Sequence, residues 1–300
     1  MRSGIRYGVS TLMTDTSQEK LLVEMSWWGM NGLNGTAGHA ATFQEKVKLI
    51  AENGFDGINA FIPARDESAH WKELLEQYNL SFSVNAYPSS IADMAKFLES
   101  AVAFGHVGYI NAQVMRPFLI GDQALELLSG IDALSRQAGI PVYIETHRGT
   151  ITQDLIRTKQ FLEALPALML TIDYSHYVVA GELHTVSPEA EEMLQGLLLN
   201  AYSIHTRISN GEQIQIDPGE AGVHPMLPHF ARWWASAMKH WRSGNRHPRD
   251  RFPVVIELGP APYAITVDEG GSRQTEISDR WSQSLYLKQL VKELWRQERL

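Results

Sequence analysis

The sequence predicts a (β/α)8 barrel that spans the whole chain, residues 1–300, as one domain. Two observations support this fold class: short β-rich runs lie along the chain, and an amphipathic stretch of helical length follows each of them. Neighbouring parallel strands need a crossover connection, usually a helix. Eight strand–helix units are typical of a barrel, which commonly reaches ~250 residues or more. A doubly wound open sheet is the competing fold.

Eight segments are predicted as strands because they are short, rich in Val, Ile, Tyr or Phe, and bounded by Gly, Pro or Asn. They are Ile5–Leu12, Gly57–Ile62, Ser81–Tyr87, Tyr109–Met115, Pro141–His147, Met169–Ser175, Ala201–Ile208 and Pro253–Leu258. Two long connections, Met13–Ala41 and residues 209–224, follow the first and the seventh of these strands. Barrel enzymes build their sites on this face, so we interpret both connections as a substrate cover rather than as surface insertions.

The intervening segments have the apolar spacing of amphipathic helices. They are Thr42–Asn53, Ser68–Tyr78, Ser90–Phe104, Gly121–Ala138, Thr152–Leu165, Ser187–Leu199, Pro225–Trp241 and Thr275–Arg299. Thr42 and Glu45 have the spacing of a capping box, and Ser187 precedes a proline suited to the first helical position. These start signals fix the beginnings of two helices.

The composition narrows the class of protein. A net charge of −8 without a Lys/Arg tract disfavours a nucleic-acid partner. The absence of cysteine removes disulfides, thiolate metal sites and a cysteine nucleophile. The sequence has neither a signal-peptide core nor an apolar run of ~18 residues. We therefore expect a cytoplasmic protein with no membrane partner.

Four consecutive predicted strands carry an acidic or imidazole group near their ends. Glu145 lies in PVYIETHRG, Asp173 in LTIDYSH, His205 in AYSIHTRIS and Glu257 in PVVIELGP. Strand interiors are normally apolar, and the carboxyl ends of parallel strands meet at one mouth of a barrel. These four side chains are therefore expected to converge.

Buried carboxylates that converge need cations, since an isolated buried charge is very costly. Arg207 can neutralise one of three carboxylates but not all of them. Taken singly, these residues have ordinary interpretations, such as an ion pair of Glu145 with Arg148 or a satisfied core histidine at His205. Together they predict one divalent metal ion with open positions for substrate oxygens. The mostly hard ligands favour manganese, with magnesium, cobalt or zinc as alternatives.

In the segments IETHRG, TIDYSH, SIHTR and VIELG the chain resembles the xylose isomerase-like TIM-barrel superfamily, which includes sugar isomerases, ketose 3-epimerases and endonuclease IV. The resemblance implies that Glu145, Asp173, His205 and Glu257 are the metal ligands. It also implies that His176, three residues after Asp173, contacts substrate. By the same resemblance, Arg207 binds substrate oxygens.

The resemblance implies a metal-dependent isomerase or epimerase that acts on a sugar or keto-sugar through an enediolate-type proton transfer. In that case Glu145 and Glu257 are both ligands and acid/base groups. A second branch of the superfamily acts on 3-keto-glycosides, and its lyase chemistry (β-elimination) would use His147 as the base. A third interpretation is a sugar-binding barrel without catalysis.

The expected partner is a small-molecule sugar, for which Trp27, Phe61 and Tyr87 can supply an apolar wall. A homo-oligomer or a partner subunit remains open. Endonuclease-like DNA repair is disfavoured, because the second and third strands end in Asn-Ala-Phe and Asn-Ala-Tyr and lack the histidines that a three-zinc cluster needs.

Overall fold

Eight parallel strands form a closed barrel in the computed structural model, which describes residues 20–33, 40–219, 222–244, 250–270, 272–273 and 275–297. The strands are β1 Leu21–Ser26, β2 Gly57–Ala60, β3 Ser81–Ala86, β4 Ile110–Ala112, β5 Val142–Glu145, β6 Leu170–Ile172, β7 Ala201–Thr206 and β8 Phe252–Ile256. Each strand pairs with the next, and β8 pairs with β1. The predicted (β/α)8 barrel is confirmed, and the open sheet is excluded.

Helices surround the barrel in the order that the sequence predicts. They are α1 Phe43–Glu52, α2 Ser68–Gln77, α3 Ile91–Phe104, α4 Gly121–Ala138, α5 Leu155–Ala164, α6 Ser175–Ala180, α7 Pro188–Leu197, α8 Leu227–Ser243 and α9 Arg280–Gln297. Thr42 and Glu45 form the predicted capping box, and Ser187 caps α7. Helix α6, directly after β6, is a short helix that the sequence analysis did not predict. Among the described helices, none combines the length and apolar character that crossing a bilayer requires.

The first barrel strand is Leu21–Ser26, inside the segment Met13–Ala41 that was predicted to be a connection. That prediction is wrong, and β1 takes the place in the barrel that was assigned to Ile5–Leu12. Residues 5–12 themselves lie outside the described residues. The sequence LLVEMS was missed because an acidic residue, Glu24, interrupts its apolar run.

Glu24 is fully buried inside the barrel, and three hydroxyl groups donate hydrogen bonds to its carboxylate. The donors are Ser81 Oγ at 3.1 Å, Ser83 Oγ at 2.6 Å and Tyr109 OH at 2.7 Å. A buried polar group is tolerated when it is hydrogen-bonded. The buried acidic group of β1 is therefore satisfied by β3 and by the residue just before β4.

The interior of this barrel is polar, whereas most barrels of this class are filled with Val, Ile and Leu. In β3, Ser81, Ser83 and Asn85 hydrogen-bond to residues of other strands across the interior. Phe82, between them, points outward, with its ring 5.1 Å from Trp71 and 5.3 Å from Phe104. The apolar core thus lies between the barrel and its helices, and polar side chains lead up the axis to the carboxyl-terminal mouth.

Candidate metal centre

The four predicted ligands converge at the carboxyl ends of β5 to β8. Glu145 ends β5, Asp173 follows β6, His205 lies in β7, and Glu257 follows β8. One ligand atom from each side chain lies within 4.8 Å of the corresponding atoms of the other three. All four residues are buried. Parallel strands end at the same mouth, so these groups meet although 112 residues of chain (257 minus 145) separate the first from the last.

Arg207 in the continuation of β7 is the cation that balances part of this charge. Its Nη2 donates to Asp173 Oδ2 at 2.6 Å and to Glu257 Oε2 at 2.9 Å, and its Nε donates to Ser175 Oγ at 3.2 Å. It is the one Lys or Arg that pairs with the ligand carboxylates within the described residues. Three carboxylates against one guanidinium leave a formal charge of −2, which a single divalent ion neutralises if His205 is neutral.

The protonation of these groups reflects the excess of negative charge. Burial would lower the pKa of His205, but Glu257 and Glu145 outweigh burial and raise it to about 9. Burial would raise the pKa of Glu257, but the charges of His205 and Arg207 hold it below its usual range. Burial would likewise raise the pKa of Asp173, but the charge of Arg207 holds it below its usual range. Burial raises the pKa of Glu145. The cluster attracts positive charge.

The donor set fits a divalent cation. Glu145 Oε1 and His205 Nε2 are buried and have no hydrogen-bond partner in the described part of the chain. The set offers three carboxylates and one imidazole, a combination suited to manganese, magnesium, cobalt or catalytic zinc.

Two histidines stand beside the ligands. The rings of His147 and His176 are 3.6 Å apart, and Glu145, His147 and His176 also offer atoms within 4.8 Å of one another. His147 is half-buried, and its Nδ1–H donates to the carbonyl of Arg148 at 2.5 Å. A carbonyl can only accept, so Nε2 of a neutral His147 carries a lone pair.

His176 is fully buried on α6, and burial holds its pKa well below the usual range of a histidine. Its Nε2 is 3.5 Å from Asp173 Oδ2, and neither ring nitrogen has a hydrogen-bond partner among the described residues. A neutral imidazole of this kind can bind a hydroxyl group.

Aromatic side chains border the mouth. Phe61 and Tyr87, after β2 and β3, are 46% and 47% exposed, and their ring centroids are 6.2 Å apart. Burial, and then the negative charges of Glu145 and Glu257, raise the pKa of Tyr87 above its usual range. Such exposed rings suit contact with a sugar face.

The two neighbouring tryptophans lie apart. Trp28 packs edge-to-face on Tyr263 with centroids 5.0 Å apart, and Arg207 Cζ lies 6.0 Å from its ring. The ring of Trp27 instead contacts Phe43 and Trp71 in the outer layer, at 5.3 and 4.9 Å. The structure brings Trp28 to the site and Trp27 to the packing between α1 and α2.

Sequence reasoning missed three residues of the site. Tyr263 follows β8, and its ring lies 4.8 Å from Arg207 Cζ and 5.4 Å from Arg148 Cζ. Asn111 lies in β4 and Gln113 just after it, and they donate to Glu145 Oε2 at 2.5 and 2.9 Å. The signal for Asn111 and Gln113 was present, because two amides alternate with apolar residues in the predicted strand INAQV. Tyr263, in a loop, has no such signal.

Comparisons with known proteins show the fold of this chain and not its activity. No protein-family model and no curated protein match this chain. A xylose isomerase-like TIM barrel protein from Mycobacterium smegmatis, solved in complex with magnesium, has a TM-score of 0.56 and 15% identity, over 93% of this chain and 99% of that chain.

Two further solved structures are similar. An AP endonuclease, family 2, from Brucella melitensis has a TM-score of 0.52 and 14% identity, over 80% of this chain and 94% of its own. The probable 3-DHS dehydratase AsbF of petrobactin synthesis from Bacillus anthracis has a TM-score of 0.51 and 14% identity, over 89% and 98%. The chain therefore has the xylose isomerase-like TIM-barrel fold, as its motifs predict.

Proposed function

We propose that this protein is a divalent-metal-dependent isomerase or epimerase that acts on a sugar or keto-sugar. The observation that carries the proposal is the convergence of three buried carboxylates and His205. Together with Arg207, the three carboxylates have a formal charge of −2. The similar structures support it in general terms, since one was solved with magnesium and the others are named as enzymes. The expected partner is a small-molecule sugar.

The ion would be held by Glu145, Asp173, His205 and Glu257, with manganese as the first choice and magnesium, cobalt or zinc as alternatives. When bound, a divalent ion polarises a carbonyl group as a Lewis acid and so makes the neighbouring C–H bond more acidic.

The chain's own groups then move the proton and hold the sugar. The lone pair of His147 Nε2 is available to accept a proton at the mouth, and Glu257 is the ligand carboxylate that retains some exposure. His176 and Arg207 can bind hydroxyl groups, because the ring nitrogens of His176 and Nη1 of Arg207 are buried and have no hydrogen-bond partner among the described residues. Phe61 and Tyr87 border the ring of the sugar.

A metal-dependent lyase that acts on 3-keto-glycosides is the second candidate. The orientation of His147 favours it, since a base that is not itself a ligand suits removal of a proton next to a carbonyl before a leaving oxygen departs. The similar fold of a probable dehydratase is consistent with elimination chemistry. The two candidates differ in products: isomerisation conserves mass, and elimination releases the aglycone.

The first experiment measures metal content per chain by mass spectrometry after reconstitution with manganese. We expect about one ion per wild-type chain and loss of the ion in Glu145→Ala and Glu257→Ala. Glu191→Ala is the matched control, because this carboxylate pairs with Arg232 at a distance from the site. A wild-type protein that takes up no ion would overturn the proposal.

The second experiment incubates the loaded protein with keto-sugars in D2O. Deuterium in an isomer of unchanged mass apart from the label supports the isomerase, and a released aglycone supports the lyase. Binding of the sugar without deuterium uptake would instead identify a sugar-binding barrel.

A further inference from the structure

One oxygen of Glu145 is already occupied by protein donors. Asn111 Nδ2 donates to Glu145 Oε2 at 2.5 Å, and Gln113 Nε2 donates to the same oxygen at 2.9 Å. The other oxygen, Oε1, is buried, has no hydrogen-bond partner in the described part of the chain, and lies 3.7 Å from His205 Nδ1. The carboxylate is therefore asymmetric: two amides hold one oxygen, and the second faces the other ligands.

The amide of Asn111 belongs to a longer hydrogen-bonded ladder across the barrel interior. Asn111 Nδ2 also donates to Asn85 Oδ1 at 3.0 Å, and Asn85 Nδ2 donates to Asn59 Oδ1 at 2.8 Å. Asn59 Nδ2 then donates to Ser83 Oγ at 3.0 Å, and Ser83 donates to the carboxylate of Glu24 at 2.6 Å. Every step from Asn111 to Glu24 runs in the same direction, and Asn111 also donates the other way, to Glu145.

This direction fixes which end of the Asn111 amide faces Glu145. If Asn111 were turned over, its oxygen would oppose both the carboxylate of Glu145 and the amide oxygen of Asn85. The same holds for Asn85 and Asn59, since each uses its NH2 group and its oxygen for different neighbours. All three asparagines are buried, where an unpaired amide group is costly.

We infer that Asn111 and Gln113 are positioning residues that commit Glu145 to the role of a fixed metal ligand through Oε1. The two N–H groups hold Oε2, so that Oε1, 3.7 Å from His205 Nδ1, stays directed toward the other ligands. This inference rests on the proposed metal site.

Glu257, the ligand carboxylate from β8, is held differently. Its side chain is 8% exposed, whereas that of Glu145 is 0% exposed. It is paired with His205 and Arg207 instead of with side-chain amides. The expectation from the sequence that Glu145 also acts as an acid or base stays a prediction.

The test uses Gln113→Met in the full-length protein, with the affinity for Mn²⁺ measured by competition with a chelator. Removing an outer hydrogen bond to a ligand typically weakens metal binding by 10- to 100-fold, and we expect about a tenfold weaker affinity. Gln153→Met is the matched control, because its amide donates to the Pro117 carbonyl at 2.7 Å and not to a ligand. It is expected to bind Mn²⁺ as the wild type does.

A second readout separates positioning from packing. With one N–H removed from Oε2, a proton competes with the ion for Glu145, so the affinity of Gln113→Met should fall more steeply with decreasing pH than that of the wild type. Equal affinity and equal slope in Gln113→Met and the wild type would overturn the inference while the metal site stands. A wild type that binds no Mn²⁺ would overturn the proposed function instead. Asn111→Leu extends the test if the variant folds, and its affinity should also fall.

Discussion

The chemistry of Glu24 is set by its neighbours. Its side chain is fully buried within the barrel, where Ser81, Ser83 and Tyr109 donate to it. Burial raises the pKa of Glu24 above its usual range, even though these hydrogen bonds oppose the change. A raised pKa means that the folded protein favours the neutral acid, and the stabilising effect of that preference depends on pH.

Glu24→Gln tests this dependence. In the wild type the neutral acid contributes stability that is present at low pH, below the pKa of an unfolded glutamate, and is lost as the pH rises through the raised folded value. The amide does not titrate. We therefore expect the free energy of unfolding of Glu24→Gln to increase relative to the wild type as the pH rises, by about 1.4 kcal/mol for each pH unit that separates the unfolded pKa from the folded pKa. Urea unfolding at several pH values measures the difference, and a difference that does not change with pH would contradict the expectation.

Three elements meet at Gly259 after β8. Gln215, in the loop after β7, donates to the Gly259 carbonyl at 2.9 Å and accepts from the Gly259 amide at 2.8 Å. The ring of Trp28, after β1, lies directly on this glycine, where an added Cβ would be 1.9 Å from Cη2. Arg207 lies on the same wall, 6.0 Å from the Trp28 ring. The absence of a side chain at 259 therefore lets the segments that follow β1, β7 and β8 pack against one another as one wall of the mouth.

Gly259→Ala is expected to displace Trp28. The ring is rigid and its partners are packed, so the overlap should cost about 1–3 kcal/mol of stability. Near-ultraviolet circular dichroism reports the tryptophan, and thermal unfolding reports the stability. Gly270→Ala is the control, since an added Cβ there meets no atom within 4 Å. An unchanged tryptophan signal in Gly259→Ala would show that the wall can adapt.

Elements also differ in how well their sequences predict them. Helix α4 begins and ends at the predicted residues, and α1 begins after the predicted cap, because helix periodicity and capping are local. Strand β1 was missed, because its acidic residue is satisfied by Tyr109, 85 positions away. No pattern within a short window contains that information.

For the whole molecule, the balance of charge at the mouth couples metal binding to stability. The pKa of His205 is raised to about 9 by Glu257 and Glu145 in spite of burial, so an incoming ion has to displace a proton at neutral pH. Metal affinity should therefore rise with pH up to about 9, by about tenfold per pH unit where one proton is released. Above that value the dependence should level off.

Thermal unfolding with and without Mn²⁺ checks this coupling. A ligand at 100 times its Kd stabilises a folded protein by about 2.7 kcal/mol, so the Tm should rise with Mn²⁺ and fall again with EDTA. The increase should be larger at pH 8 than at pH 6, as the raised pKa of His205 requires. Glu257→Ala should lose the increase. A Tm that does not respond to Mn²⁺ in the wild type would speak against the metal centre.

The sequence by itself determined the barrel and its four candidate ligands. A polar residue at the end of each of several successive β-rich runs is a local pattern. In a parallel barrel the carboxyl ends of the strands meet at one mouth, whatever the details of side-chain packing. The tertiary structure decided the rest: β1 with Glu24, the ladder that holds Glu145, and Trp28 rather than Trp27 at the mouth. Each of these depends on contacts between segments far apart in the chain, and such contacts exist only once the barrel has closed.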